Sequence, residues 1–200
     1  MRPDHPGTRN GQGSLRRAKV AVFAIFGLVG MSSGLFTASL PGLAEQLGLG
    51  EARFAGLLFA TTVGAIAIMP VAGWLCDRVG SRAVLHATGT LTVAALLIPA
   101  LTGSYPAALI AVFLFGAGSG MLDIAMNMQA ALVERHNRRA LMSSFHAIWG
   151  IGTVAGGAAT AALLHTTGGV RPFGHRGDAG NPIPAAQPLH AARQCPEPGP

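Results

Sequence analysis

The chain has 200 residues, of which 50% are hydrophobic and 11% charged, and its mean hydropathy is +0.45. A soluble globular domain carries charge on about a quarter of its residues and a disordered chain on more, so both classes are excluded. The formal charge of +6 is not a nucleic-acid signal, because the basic residues lie in short clusters between long uncharged stretches.

Residues 1–18 form a basic leading segment, with Arg2, Arg9, Arg16 and Arg17 followed by Lys19. Beyond it no Asp, Glu, Lys or Arg occurs over residues 20–44, 54–76, 83–122 or 140–170. A hydrocarbon core of about 30 Å needs roughly 20 apolar residues at 1.5 Å rise, so each stretch is long enough to span it. The third is long enough for two helices, and Thr102-Gly-Ser-Tyr-Pro106 supplies a turn within it. The sequence therefore predicts an all-α membrane protein with a bundle over residues 19–165, its five transmembrane helices near 20–41, 54–75, 83–101, 107–133 and 142–165. The first is too long, and followed by too many others, to be a signal peptide. Residues 166–200 hold seven of the 13 prolines and no apolar periodicity, which predicts a disordered Pro/Gly-rich tail. An odd number of spans followed by such a tail suggests a chain cut short, as by a reading-frame change.

Orientation follows from Lys and Arg in the short loops. Arg78 and Arg82 lie between the second and third spans and Arg135, Arg138 and Arg139 between the fourth and fifth, on the side of the leading segment; the other side offers Arg53 alone. The expectation is a multi-pass protein of the cell membrane with a cytoplasmic amino terminus. Its partners are the lipid bilayer, a small-molecule solute and protons, with no nucleic acid; its oligomeric state stays open. No cofactor or metal is expected, since Cys76 and Cys195 are far apart and in no ligand spacing.

Two regions carry the chemistry. In the loop after the second span, Gly73 and Asp77 are four apart and share a helix face, Gly80 suits the end of a helix, and Ser81 can cap the next one. In the fourth span Asp123 is a carboxylate well inside an apolar helix. An ionised Asp there costs roughly 2.5–3.5 kcal/mol, which predicts that it faces the bundle interior or a watery cavity. Asn127 lies one turn on, and Gly116 and Gly120 continue that stripe, which reads as cavity-lining. In the fifth span His146 is expected at the depth of Gln129, one to two turns from Asp123, where it accepts a proton near neutrality or bonds a solute hydroxyl. Trp149 stacks on a sugar ring or fills space, and Gly152-xxx-Gly156 reads as packing.

Gly73-x-Leu75-x-Asp77-Arg78-x-Gly80-x-Arg82 resembles the signature loop of the major facilitator superfamily, in the same place between spans two and three. The resemblance implies a secondary transporter of two six-helix bundles with alternating access, of which residues 19–165 would be most of one. Asp77, Arg78 and Arg82 would make the cytoplasmic contacts that hold the outward-facing state, with Gly73 allowing a helix contact and Gly80 the turn. Drug–proton antiporters of that superfamily have an arginine where this chain has Val112, and a proline where it has Thr153. Asp123, Asn127 and the Ser144-Phe145-His146 segment are instead similar to the fucose-permease-like group, whose fourth-span carboxylate takes part in proton coupling. That group's acidic residue in the first span has no counterpart here. The implied activity is transport of a small polar solute, not an enzymatic reaction, for which no nucleophile–base motif is present. A drug-efflux-type transporter, a non-transporting membrane fragment and a subunit requiring assembly are the alternatives.

Overall fold

The computed structural model describes residues 7–97 and 103–166, which contain five α-helices and no strand. They are α1 (Gly7–Gln46), α2 (Glu51–Val79), α3 (Ser81–Leu97), α4 (Tyr105–Asn137) and α5 (Met142–Thr166). A helix satisfies its backbone hydrogen bonds internally, which is the condition for crossing lipid. α2, α4, α5 and α1 from Gly13 onward are each long and apolar enough to do so. α3 is described over 17 residues; its expected end near 101 lies outside the described residues, as does the tail beyond 166. α1 begins well before the expected 20 and α4 runs past the expected 133. Extending an existing helix adds one bond per residue fixed, and Arg, Leu, Ala and Glu in these extensions favour it.

The connections follow from local chemistry. The turn after α1 has Gly48 at φ +60, with Leu49 N–H donating to Ala44 O at 2.9 Å and Gly48 N–H to Glu45 O at 3.1 Å. These two bonds satisfy carbonyls the helix end leaves open. Pro106 stands in the first turn of α4, where its missing N–H costs nothing. α4 closes on Arg138 in the left-handed region (φ 50, ψ 30).

Glycines set the packing. α1 pairs with α5 and α2 with α4, both in parallel, while α3 lies antiparallel on α4. A Cβ added at Gly30 or Gly34 would collide with the carbonyls of Trp149 and Thr153, and one at Gly152 or Gly156 with those of Gly27 and Met31. The second pair repeats the arrangement, with Gly64 against Phe113 O, Gly116 against Thr61 O and Gly120 against Ala65 O. Such backbone-to-backbone approach is how helices associate in lipid, where burying apolar area between them gains little.

Two buried clusters fill the bundle. One joins Phe36 and Leu40 of α1 to Leu57 of α2 and to Ala108 and Phe115 of α4, with the Phe36 and Phe115 rings stacked at 3.7 Å. The other joins Val22 and Phe26 of α1, Cys76 of α2, Val84 of α3, Val133 of α4 and Phe145 of α5. Outward faces remain apolar: Phe59, Leu91, Ile151 and Val154 are 64–74% exposed. The chain is a multi-pass membrane bundle, with lipid as the medium for these faces.

Candidate functional site

The second cluster contains residues from every helix beside a basic segment, so it gathers those segments at one end of the bundle. Arg16, Arg17 and Lys19 of α1 are there, with Arg78 and Arg82 around the α2–α3 turn and Arg135, Arg138 and Arg139 around the α4–α5 turn. Among the described residues, Asp77 and Glu134 are the carboxylates at that end. The opposite end carries Glu45, Glu51 and Arg53, whose guanidinium lies 5.5 Å from the Tyr105 ring centroid.

Asp123 is half-buried in the middle of α4. One turn on, Asn127 Nδ2 donates to Asp123 Oδ1 at 3.2 Å and to the Asp123 carbonyl at 2.9 Å. The carboxamide thereby fixes one carboxylate oxygen, as expected of an i, i+4 pair. His146 stands on α5 next to Phe145, which packs in one cluster with Leu122 and Met126 of α4. The exposed His146 ring meets Phe26 of α1 edge-on at 5.4 Å, and its Nδ1 lies 3.1 Å from Met142 O. Nδ1 donates in that bond, because a carbonyl can only accept. Asp123 and Asn127 are thus paired on α4, while His146 stands on α5 against Phe26 of α1.

Trp149 is half-buried against the cluster containing Phe26 and Phe145, and its carbonyl accepts from Thr153 Oγ1 at 3.0 Å. Gly116 and Gly120, expected to continue the cavity-lining stripe, are buried against the α2 backbone instead. Their missing side chains serve helix packing.

At the turn, Gly80 takes φ +87, a region that favours glycine, and its N–H donates to Cys76 O at 3.0 Å. Asp77, Arg78 and Arg82 are exposed, and the Arg78 guanidinium lies 4.8 Å over the Trp74 ring. Gly73, expected to permit a close helix contact, has nothing within 4 Å of an added Cβ among the described residues. Ser81, expected to cap α3, is buried, and its hydroxyl accepts from Gln129 Nε2 of α4 at 2.7 Å.

Gln129 and Glu134 emerge from the structure alone. Gln129 signalled itself only as a carboxamide in an apolar helix, and no spacing rule links it to a serine 48 residues away. Glu134 Oε2 accepts from Leu141 N–H and Met142 N–H, both at 2.7 Å, and so caps α5. The three-residue spacing of a capping box could not have pointed to it.

A groove of about 270 Å³ lies between α1 and α3, with Ser32, His86, Thr90 and Thr92 on its walls. None of Asp123, Asn127, His146 and Trp149 lines it. Thr92 Oγ1 is buried without a hydrogen-bond partner, close against Gly118, where an added Cβ would fall 2.8 Å away.

Residues 22–173 match the family model described as Major Facilitator Superfamily. The chain is similar to an uncharacterized MFS-type transporter of Yersinia pestis, with 32% identity over 146 residues covering 73% of this chain and 38% of the relative. An uncharacterized transporter of Sinorhizobium fredii is 34% identical over 137 residues, covering 68% of this chain and 36% of the relative. Membrane protein MosC of Rhizobium meliloti is 27% identical over 136 residues, 68% of this chain and 33% of its own length. The chain thus spans little more than a third of the length of the curated relatives it matches. No solved structure matches it.

Proposed function

The chain belongs to the Major Facilitator Superfamily, and on that premise we propose that its helices carry the solute- and proton-handling part of a secondary transporter for a small polar solute. The observation that supports this most is the Asp123–Asn127 pair, half-buried in the middle of the largely apolar α4. Asp123 switches between neutral and ionised as its cavity opens to alternate sides. Asn127 keeps one carboxylate oxygen fixed while it does so, and His146 offers Nε2 to a solute hydroxyl or a proton. Asp77, Arg78 and Arg82 hold the outward-facing state from the cytoplasmic side, with Gly73 and Gly80 shaping their helix and turn. Trp149 packs beside the solute. The amino terminus is cytoplasmic, which the cation-rich end supports under the positive-inside rule, and the membrane is the cell membrane. The acidic and carboxamide pair followed by Ser144-Phe145-His146 favours the fucose-permease-like group within the superfamily.

Uptake into membrane vesicles tests this, with an imposed pH gradient and labelled sugars, polyols and amino acids as probes. Made at the matching position of a full-length relative, the Asp123→Asn change abolishes pH-driven accumulation while leaving solute exchange partly intact. Unchanged pH-driven accumulation in that variant removes Asp123 from the mechanism.

A second reading rests on length. Spanning little more than a third of its relatives, the chain contributes one bundle and needs a complementary one before solute crosses. Vesicles containing this chain alone then accumulate none of the probes, while co-expression with the remaining portion of a relative restores accumulation.

A further inference from the structure

α1 is 40 residues long, about 60 Å at 1.5 Å per residue and twice the thickness of a hydrocarbon core. Its uncharged part starts at Val20, so the preceding turns project beyond the hydrocarbon. Arg16, Arg17 and Lys19 occupy the turn just outside it, and at about 100° per residue they cover an arc of about 160°. Arg16 and Arg17 are exposed and Lys19 is half-buried. No carboxylate occurs on α1 between Gly13 and Ala44, and among the described residues none of the three cations makes an ion pair.

The same end offers little counter-charge from elsewhere. Glu134 has one oxygen committed to the first N–H groups of α5, and Asp77 stands between Cys76 and Arg78, whose guanidinium lies over Trp74. Among the described residues the cations of α1 thus lack a carboxylate partner, which leaves them open to an anion from outside the chain. Being on a helix continuous with the span, they are held at a fixed height, so little conformational freedom is lost when they engage one. At that height the available anions are lipid headgroups, and a guanidinium fork matches a phosphate in two parallel hydrogen bonds.

We propose that Arg16, Arg17 and Lys19 form a collar that selects anionic phospholipid headgroups over zwitterionic ones. Zwitterionic lipids carry the same phosphate, but their own ammonium neutralises it, whereas an anionic headgroup meets the uncompensated charge of the collar. Lys19 reaches it by laying its alkyl stem along the apolar helix surface.

The test uses the chain reconstituted in phosphatidylcholine vesicles, with spin-labelled phosphatidylglycerol or spin-labelled phosphatidylcholine as probe. The electron paramagnetic resonance spectrum gives the fraction of each that the protein immobilises. The wild-type chain associates preferentially with phosphatidylglycerol, and the preference weakens as salt rises from 0.1 to 1 M and the Debye length falls from about 10 to about 3 Å. R16Q/R17Q/K19Q loses preference by up to about fivefold per cation removed, corresponding to roughly 1 kcal/mol each. R16K/R17K keeps most of it, and Arg53→Gln at the other end leaves it unchanged, with helix content by circular dichroism confirming that each variant folds. Three results overturn the proposal: equal association of both lipids with the wild-type chain, an undiminished preference in R16Q/R17Q/K19Q, and loss of the preference in Arg53→Gln. A fourth is release of bound phosphatidylglycerol by inorganic phosphate beyond what KCl of equal ionic strength achieves, which would make free phosphate the ligand.

Discussion

Gln129 Nε2 donates to Ser81 Oγ at 2.7 Å, tying the first residue of α3 to α4 six residues beyond Asp123. The bond joins the turn that carries Asp77, Arg78 and Arg82 to the helix that carries Asp123 and Asn127. Gln129→Leu removes the donor and leaves the buried Ser81 hydroxyl without it. Interhelical hydrogen bonds in membranes are worth about 0.6 kcal/mol on average and up to about 1.7, so unfolding in mixed micelles should register a loss within that range.

The glycines separate into two groups with opposite expected behaviour. Gly30→Ala, Gly64→Ala and Gly156→Ala drive a methyl into a neighbouring helix's carbonyl. Forcing packed helices apart costs about 1–3 kcal/mol. At Gly73 and Gly150 an added Cβ meets nothing within 4 Å. Alanine there should be neutral or stabilise by roughly 0.5–1 kcal/mol through the unfolded chain's lost freedom. Thermal denaturation of the five single variants in one detergent checks both halves; equal behaviour of Gly30→Ala and Gly150→Ala would falsify the packing described above.

Glu134→Ala strips the cap from α5. Two N–H groups, those of Leu141 and Met142, lose their acceptor, at a cost of about 1–2 kcal/mol. Hydrogen exchange should show the loss locally, as faster exchange over 141–145 with little change in α2. Glu134→Gln retains an acceptor oxygen and should recover part of the protection.

Arg138 ends α4 in the left-handed region that L-residues enter at a cost of roughly 1–2 kcal/mol. Arg138→Gly removes that strain, so it should raise the denaturation midpoint. Arg138→Val, with a branched Cβ, should lower it.

The Arg78 guanidinium over the Trp74 ring is worth about 0.5–1 kcal/mol at an exposed site. Arg78→Gln should change the Trp74 emission, read in a Trp149→Phe background so that one indole remains. An emission spectrum indifferent to Arg78→Gln would mean that the stack does not form in lipid.

The sequence by itself determined the five helices of the described residues and the placing of Asp123 and Asn127 one turn apart on the fourth. Each of these depends on short-range facts: a charge-free run must match the thickness of a low-dielectric slab, and residues four apart on a helix must meet. The tertiary structure decided what required knowing which faces touch. It placed Gly116 and Gly120 against α2, left Gly73 facing open space, turned Ser81 from a cap into the partner of Gln129, and set the His146 ring against Phe26. A glycine reads the same in sequence whether a neighbouring backbone or a lipid chain lies beyond it, because contacts between helices are chosen by the shapes of whole surfaces and no local spacing records them.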